Sequence, residues 1–574
     1  MARVRPLVVV IEDLHWIDPA SEEYLTFLAD VVPAARALLV CSYRPGYRHV
    51  LGDRSYHVRV LVQPLSDAEM ARVAGAVLGV DTLPPEVAAL IARKADGNAL
   101  FVEEVTKSLL EDGSLRRDGD RVALGRALAE LAVPDSIHGV LMARIDRLDD
   151  DPKRALQMAS IIGREFALRL LARVSEVGDR VPHLVHELRA LEIIYEKAAH
   201  PELAYMFKHA LVHDVAYESV LLEQRRRLHR VIGTAIEELY ADRLPEHYET
   251  LALHFTRGED WKHALTYHTL AARKAAEAYA NHAVIEHARA GLAIVDRLGN
   301  SDLGPHRQEL EELIGMASLL TSAFRASGEA FVRAADAASE PQARAIDLGH
   351  AGHSFTWAHA YPEARRVLEQ AGALARANGF VVAEALGVAN DGFLHQTLGE
   401  LDAAERLSEA ASAIAERSGS EELRAVTQFF HGILLDWRGD FRRAAPLFAA
   451  AREVGQRRRL PNLVVLPQWF LGKATCGLGD YGRSVALLRD AVELCDKIGD
   501  RAWKTRCQNT LGWCLAEIGA HPAALGENRR AAALAQEIGD QEIRANAELN
   551  LAANHLALGD LDAAFARVDP IRAE

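Results

Sequence analysis

The amino-acid sequence predicts a mainly α-helical protein that begins with a small piece of parallel α/β structure and ends in an α-solenoid. Two observations predict this fold class. Residues 7–13 read LVVVIED, an apolar and mostly β-branched run that meets two acids. Such a run is typical of a buried parallel strand that carries carboxylates to the edge of a sheet. Far downstream, five glycines are spaced 40 residues apart, at Gly399, Gly439, Gly479, Gly519 and Gly559. An equal spacing of this length indicates a repeated pair of helices.

Composition places the chain among globular proteins and excludes some functions. The 574 residues are 49% hydrophobic and 26% charged, with a net charge of -15. This acidity argues against a nucleic-acid partner for the chain as a whole. The sequence has no signal-peptide layout and no apolar run of about 18 residues, so we expect a cytoplasmic protein without a membrane partner. The five cysteines are odd in number and form no CxxC pair, which favours a reducing compartment and no disulfide framework.

A second series of residues lies halfway between the first glycines and completes the repeat. Its members are Gly379, Gly419, Arg459, Gly499 and Gly539, with Arg459 as the exception. Each unit is therefore two helices and two turns, because glycine readily ends a helix in the left-handed conformation. His359 stands in the glycine position of one further unit. The G-[DE]-[LFY]-x-x-A turn is similar to that of tetratricopeptide repeats, and Gly258 with Ala264 extends the pattern upstream in a degenerate form.

The sequence of the N-terminal half predicts strands, helices and a winged helix rather than repeats. ARALLVCSYRPGY (35–47) reads as a second strand and HVRVLVQPLS (57–66) as a third. Helices follow, with Ser66 and Pro84–Pro85 as starts and Gly97 as a stop. Three short helices and a hairpin then describe a winged helix.

In their order, five segments resemble a known class, the STAND signal-transduction ATPases. They are VVVIEDLHWIDPAS, SYRPG, ADGNALFVEEV, YMFKHALVHDVAYESVL and RRRLHRVIG. The resemblance is strongest to the ATPase module fused to bacterial class III adenylate or guanylate cyclases and found in large LuxR-type regulators. It implies ATP and Mg²⁺ as cofactors.

The resemblance implies roles for individual residues. Glu12 would be the acid on the metal side and Asp13 the candidate base, since a carboxylate suits both roles. Arg44 matches a sensor arginine that reaches the γ-phosphate. Asp18 also reads as a plain helix cap.

Two further segments are implied near the nucleotide. Gly97 and Asn98 match a turn that lies by the adenine, although the family's proline is Ala99 here. His209 matches a winged-helix histidine that contacts the β-phosphate of ADP in some members. A structural role for His209 stays open, and its spacing from His213 would suit a metal but lacks a third ligand.

The phosphate-binding loop of this class, GxxxxGK[ST], does not occur in the sequence. We therefore expect that the loop lies outside this chain, with a genuine descendant that lacks the loop as the alternative. In either case we expect the chain alone to hydrolyse ATP negligibly. We also expect the strands to keep an unpaired edge and an uncovered face. The predicted domains are the C-terminal part of a P-loop NTPase core (1–64), a helical lid (65–130), a winged-helix domain with a linker helix (131–238), degenerate helical repeats (239–350) and tetratricopeptide repeats (351–574).

These observations predict a regulatory ATP-binding or ATPase signalling module joined to a protein-interaction scaffold. The solenoid would bind a protein or a small effector, and self-association stays open. The alternative is a scaffold that works without nucleotide. A transcription factor would need a C-terminal helix-turn-helix, and the sequence ends in a repeat instead.

Overall fold

The computed structural model describes residues 5–44, 46–48, 51, 56–118, 121–124, 134, 136–198, 202–299, 301–458, 460, 462–498 and 500–573. The chain folds into two compact units, Met1–Tyr267 and His268–Glu574.

The first unit opens with two parallel strands, β1 (Leu7–Ile11) and β2 (Ala37–Cys41), joined by helix α1 (Pro19–Val31). Leu14 and Leu25 pack on one side of the pair and are buried. On the other side Val8, Val10, Leu38 and Val40 are exposed. The parallel pair is confirmed, and so is the uncovered face. Among the described residues, helix α1 covers only one side of the two strands, which leaves the other side exposed.

The predicted third strand at 57–66 is wrong. Residues 57–66 form no strand, and Val58, Val60, Leu61 and Val62 are exposed. A strand requires a hydrogen-bonded neighbour, and this segment pairs with no strand in the described part of the chain. Its apolar β-branched sequence indicates a strand but cannot supply the partner.

The next region is helical, as predicted, and also holds a small hairpin. Helices α2 (Asp67–Leu78), α3 (Pro85–Ala95) and α4 (Ala99–Glu111) share one core. Ser66 caps α2 and forms a capping box with Glu69. The antiparallel strands β3 (Leu115–Asp118) and β4 (Arg121–Leu124) follow and were not anticipated from the sequence.

Three short helices and an antiparallel hairpin come next, and their existence is confirmed. The elements are α5 (Ile137–Asp146), α6 (Asp150–Ile162), β5 (Glu165–Ala167), α7 (Leu168–Val174), α8 (Val181–Ala190), β6 (Ile194–Ala198) and β7 (Ala204–Phe207). The three strands form a sheet in the order β5–β7–β6. Strand β5 and helix α7 are additional to the predicted set. The unit continues with α9 (Ala210–Glu218), α10 (Leu222–Leu239) and α11 (Tyr248–Arg257), and its boundary lies within α12 (Trp261–Glu277).

The second unit is a tetratricopeptide-like solenoid of paired helices. The helices are α13 (Asn281–Leu298), α14 (Gly304–Leu320), α15 (Phe324–Ala337), α16 (Pro341–Trp357), α17 (Tyr361–Asn378), α18 (Val381–Thr397), α19 (Leu401–Ser418), α20 (Glu421–Trp437), α21 (Phe441–Arg458), α22 (Asn462–Gly477), α23 (Tyr481–Ile498), α24 (Arg501–Glu517), α25 (His521–Ile538), α26 (Gln541–Ala557) and α27 (Leu561–Ala573).

The glycine series predicts the turns correctly. All five glycines of the first series are left-handed, with φ between 75° and 81°, and His359 adopts φ 55° in the same position. Upstream, the left-handed residue is Glu259 rather than Gly258, which stays in the right-handed region. Ala264 is buried as predicted. Arg459 and Gly499 lie outside the described residues.

A third glycine series marks where the two helices of each repeat cross. It was not predicted from the sequence. Its members are Gly352, Gly392, Gly432, Gly472 and Gly512. A Cβ atom on Gly432 would lie 2.7 Å from the Phe448 ring, and one on Gly472 would lie 2.7 Å from Leu488. The absent side chain lets the second helix approach closely.

Candidate functional site

The two predicted acids lie at the carboxyl end of β1, where the strand meets the end of β2. Glu12 and Asp13 are both exposed. Asp13 is left-handed, with φ 56°, which is uncommon for a residue with a side chain. Its amide donates a hydrogen bond to Ser42 Oγ at 3.1 Å. This turn directs Glu12 and Asp13 to the same sheet edge as Ser42, and the exposed Arg44 follows two residues later.

Asp13 also meets a residue from another part of the unit. Its carboxylate lies 3.8 Å from the guanidinium of Arg164, which precedes β5. Both side chains are about half exposed, so the pair contributes little to stability. The sequence analysis did not single out Arg164, because its proximity to Asp13 depends on packing between distant segments.

His209 follows the strand whose last residue pairs with the backbone of Arg164. The Phe207 amide donates to the Arg164 carbonyl at 3.0 Å, and His209 follows two residues later at the start of α9. Burial lowers the pKa of His209, and Glu104 is the largest of its nearby charges. Among the described residues its buried Nε2 has no hydrogen-bond partner. His213 instead contacts Asp214 and the Ser160 carbonyl.

The predicted adenine turn is held by contacts within the protein. The Gly97 carbonyl accepts a hydrogen bond from Leu65 at 2.9 Å, and its amide contacts Met70 Sδ at 3.3 Å. Asn98 caps α4 by accepting from Phe101 at 3.1 Å. Phe101 is buried, as expected for a core residue. These contacts already occupy the amide and the carbonyl of Gly97 and the side-chain oxygen of Asn98.

A buried ion-pair network joins the helical region to the elements around His209. Arg144 on α5 donates to Glu104 at 2.8 Å and to the Leu191 carbonyl at 2.8 Å, and it also pairs with Glu111. The side chain of Glu104 is only 3% exposed. A charge at this depth requires a partner.

A second contact joins the same regions. Glu192 accepts hydrogen bonds from Lys107 at 2.7 Å and from Lys208 at 2.8 Å. These two ammonium groups lower the pKa of Glu192 to about 2. Lys208 directly precedes His209, so this contact links α4 to the segment that carries His209.

The residues present fit one rim of a nucleotide site and not a whole site. In favour are two exposed acids at a sheet edge and the orphaned His209 nitrogen. Beside the acids, both ring nitrogens of His15 are also buried without a partner in the described part of the chain. Against a whole site are the engaged turn at Gly97 and the lack of a GxxxxGK[ST] loop in the sequence. Asp18 caps α1 by accepting from the Ser21 amide, so its helix-start role is confirmed.

The basic stretch at 223–230 lies on α10 and makes several contacts within its own unit. Arg226 pairs with Glu259 at 3.0 Å and Arg227 with Glu176 at 3.9 Å. Arg230 donates to the Gly258 carbonyl. These contacts favour a structural role for the helix, in agreement with the acidic net charge of the chain.

In the second compact unit, the first helices of successive repeats form one layer. They are α16, α18, α20, α22, α24 and α26, and each contacts the next. The Trp357 and Trp503 rings lie 6.0 Å apart although they belong to α16 and α24. Helices that are separated by several repeats can come into contact only on the inner side of a curved solenoid. This layer is therefore the concave side.

Polar contacts tie the concave layer together. Lys473 on α22 pairs with Asp436 on α20 at 2.7 Å, and the second Asp436 oxygen has no partner among the described residues. Burial raises the pKa of Asp436. Trp469 donates to Thr510 Oγ1 at 2.7 Å.

Comparison with known proteins finds one family model and one partial relative. Residues 66–116 match a domain of unknown function (DUF8739). An uncharacterized protein of Rhizobium meliloti (strain 1021) is 27% identical over 246 residues, which is 42% of this chain and 23% of the relative. This chain thus matches less than a quarter of the length of that curated relative.

Among solved structures, one neighbour spans almost the entire chain. It is a Signal Transduction ATPase with Numerous Domains (STAND) protein with a tetratricopeptide repeat sensor from Pyrococcus horikoshii, at 13% identity and a TM-score of 0.49, covering 99% of this chain and 80% of that one. Aspartyl phosphate phosphatase F from Bacillus subtilis has 13% identity and a TM-score of 0.36, covering 61% of this chain and 89% of that one.

The described residues contain neither a membrane-spanning helix nor a metal-binding group of side chains. No described helix has the length and apolarity needed to cross a bilayer. No three or more described His, Cys, Asp or Glu side chains are grouped so that they could hold a metal ion.

Proposed function

We propose that this chain is the responsive part of a STAND-type signalling protein, in which a nucleotide rim is coupled to a protein-binding repeat scaffold. The observation that carries the proposal is the contact between Asp13 and Arg164. It joins a strand-edge acid to the segment that precedes β5. The five sequence segments that resemble STAND ATPases support the same function, with ATP and Mg²⁺ as cofactors.

The acids and the arginine suit a switch. Mg²⁺-nucleotide, when bound, supplies a hard cation that carboxylate oxygens prefer. Glu12 would hold that cation, Asp13 would act as the base beside it, and Arg44 would approach the γ-phosphate. Asp13 would then exchange its contact with Arg164 for one at the nucleotide. Because the Asp13–Arg164 pair is weak and exposed, this exchange costs little.

Loss of the Asp13–Arg164 contact could change the packing of the helical region through the contacts around His209. Once released, Arg164 could shift together with β5, which pairs with β7. Lys208, directly after β7, and Lys107 on α4 both pair with Glu192. The buried contacts of Arg144 with Glu104 and with the Leu191 carbonyl keep the helical region attached to the segment before β6. Such an arrangement permits two packings of one segment, which is the requirement for a nucleotide switch.

A second candidate function is a scaffold that needs no nucleotide. It is favoured by the concave layer, where polar side chains such as Lys473 and Asp436 come from successive helices. Concave surfaces of repeat proteins suit extended protein partners. In this case the strand-edge residues would serve only folding.

Equilibrium dialysis of the full chain against labelled ATP with Mg²⁺ tests the first proposal. We expect measurable binding that is lost in Asp13→Asn and strengthened in Arg164→Met. Arg173→Met is the matched control, because Arg173 forms a similarly exposed pair with Glu238. Binding that neither Asp13→Asn nor Arg164→Met changes, or no binding at all, would favour the nucleotide-independent scaffold.

A further inference from the structure

Three consecutive turns of the solenoid each expose a large apolar side chain. The residue before the turn glycine is Leu478, Ile518 or Leu558 in the last three repeats, and each side chain is about half exposed. The same position holds Leu398 two repeats before Leu478, and Arg438 in the repeat between them. Single exposed apolar residues are normal on a protein surface, whereas a row of them indicates an interaction surface.

Hydrogen bonds between successive first helices show that the three turns lie along one edge of the solenoid. Trp469 on α22 donates to Thr510 on α24 at 2.7 Å, and Asn550 on α26 donates to Asn509 on α24 at 2.9 Å. Each bond joins residues 41 positions apart, one more than a repeat. Because one helix of opposite direction separates each pair along the chain, the three helices run in the same direction and end at the same edge. Packed helices lie about 8–10 Å apart, so the apolar side chains follow one another at about that spacing.

The same edge carries negative charge. The three residues on either side of each of these turn glycines include no Lys or Arg, and Arg483 lies just outside the first group. The groups contain four acids, all of them exposed: Asp480, Glu517, Asp560 and Asp562. Asp480 and Asp560 each accept a backbone hydrogen bond from the start of the following helix, at 3.4 Å and 3.1 Å. These caps hold the two carboxylates in place beside the apolar side chains.

We propose that this turn surface, defined by Leu478, Ile518, Leu558 and the four acids, docks a basic amphipathic helix of another protein. In an α-helix, residues seven positions apart face nearly the same side and lie about 10 Å apart along the axis. Apolar side chains at every seventh position would therefore contact the three turns in succession, and Lys or Arg side chains beside them would face the acids. An extended segment repeats one face about every 6.7 Å, which fits the spacing of the turns less well.

This docking rests on the proposed role of the repeats as a protein-binding scaffold. It uses the edge of the solenoid instead of the concave layer, and it needs no nucleotide. The negative charge of the turn surface would repel an anionic membrane, so a protein helix is the partner that fits.

Fluorescence anisotropy of the full chain with a labelled 21-residue peptide tests the proposal. The peptide has Leu at every seventh position, Lys beside each Leu and Ala elsewhere. We expect saturable binding that weakens as NaCl is added. Binding to Ile518→Lys should be about tenfold weaker, because the substitution places a positive charge at the centre of the surface. A peptide with Glu in place of Lys should not bind.

Val381→Lys is the matched control. Val381 is also an exposed apolar residue, but it lies at the start of α18 and hence at the opposite edge of the layer. This variant should bind the Lys peptide as the wild-type chain does. Hydrogen exchange should show protection by the peptide in residues 476–482, 516–522 and 556–562.

Three results would overturn the proposal: no binding, equal binding of the Lys and Glu peptides, or an equal loss in both variants. Protection around Trp469 and Asn509 instead would place the partner on the concave layer and leave the scaffold function intact. Self-association of the wild-type chain in sedimentation velocity that Ile518→Lys abolishes would also overturn it, because the occupant would then be a second copy. Nucleotide binding enters none of these outcomes, so its failure would be distinct.

Discussion

The carboxylate of Asp13 lies 3.8 Å from the guanidinium of Arg164, although one follows the first strand and the other precedes the fifth. This contact joins the acidic strand edge to the β5–β7–β6 sheet. It is half exposed and hence easily exchanged. A weak contact of this kind is suited to a site where a ligand competes for one partner.

Breaking the buried network around Arg144 should strongly destabilise the first unit. We expect Arg144→Met to cost about 3–5 kcal/mol, because it leaves Glu104 charged and buried without its partner. Native-state hydrogen exchange of the amides in α5 measures this loss as a lower free energy of local opening.

Arg147→Met is the control for that experiment. Arg147 lies 3.9 Å from Asp112 and donates to Ser108 Oγ at 3.0 Å, but it is more exposed and leaves no buried charge behind, so its loss should cost about 1–2 kcal/mol. Adding Glu104→Leu to Arg144→Met should recover part of the stability, since the buried charge is gone. Equal effects of the Arg144 and Arg147 substitutions would contradict this account of the network.

The helix-crossing glycines should be sensitive to a single methyl group. Gly432→Ala places a Cβ atom 2.7 Å from the Phe448 ring, so we expect a loss of about 1–3 kcal/mol. Gly526→Ala is the matched control, because nothing lies within 4 Å of its Cβ position. It should be neutral or should stabilise by about 0.5–1 kcal/mol. Urea unfolding followed by circular dichroism compares the two, and a similar loss in both would show that helix crossing is not the cause.

Acid should loosen the end of the first unit. His229 and His254 are buried with their Nδ1 atoms 2.9 Å apart. Burial is the main cause that lowers the pKa of His229 to about 3 and that of His254 to about 4, with Arg257 adding to both. The folded state therefore keeps both rings neutral while the unfolded chain takes up protons below its ordinary pKa of 6.5.

It follows that the stability from this pair is complete above about pH 6.5 and is lost as the pH falls toward 4. Local opening of α11, measured by hydrogen exchange corrected for intrinsic rate, should be easier by about 2–4 kcal/mol at pH 5 than at pH 7.5. His254→Leu should weaken this dependence. His263→Gln, at an exposed histidine, should leave it unchanged. A flat response of the wild-type protein would contradict the prediction.

The chain alone should not turn over ATP. It holds the two acids but no GxxxxGK[ST] loop, so no backbone cradle or lysine for the β- and γ-phosphates is available in the sequence. Phosphate release by the purified chain should stay at the background of the Glu12→Ala and Asp13→Ala variants. Turnover that disappears in both variants would show the prediction to be wrong.

The repeats could be predicted from sequence because their turns have a residue signature. A left-handed residue ends many helices, and glycine occupies most of these positions. The degenerate repeats were harder, since Glu259, Tyr279 and Ser322 adopt the same conformation without glycine. There the surrounding packing overrides the local preference.

The candidate site could be predicted only in part, for a different reason. Glu12, Asp13 and Arg44 follow strands, and the sheet edge that they share is visible in the sequence. Arg164 and the buried Arg144 become relevant through contacts between distant segments, which no local pattern reports. The segment at 57–66 shows the converse case, since a strand-like sequence forms no strand without a hydrogen-bonding neighbour.

Hydrogen exchange of the full chain with and without Mg²⁺-ATP tests the central proposal most directly. We predict slower exchange around Arg44, together with faster exchange in residues 160–167 as Arg164 leaves Asp13. The Asp13→Asn variant should show neither change. Unaltered exchange in both segments at millimolar nucleotide would contradict a nucleotide rim and leave the repeat scaffold as the function of the chain.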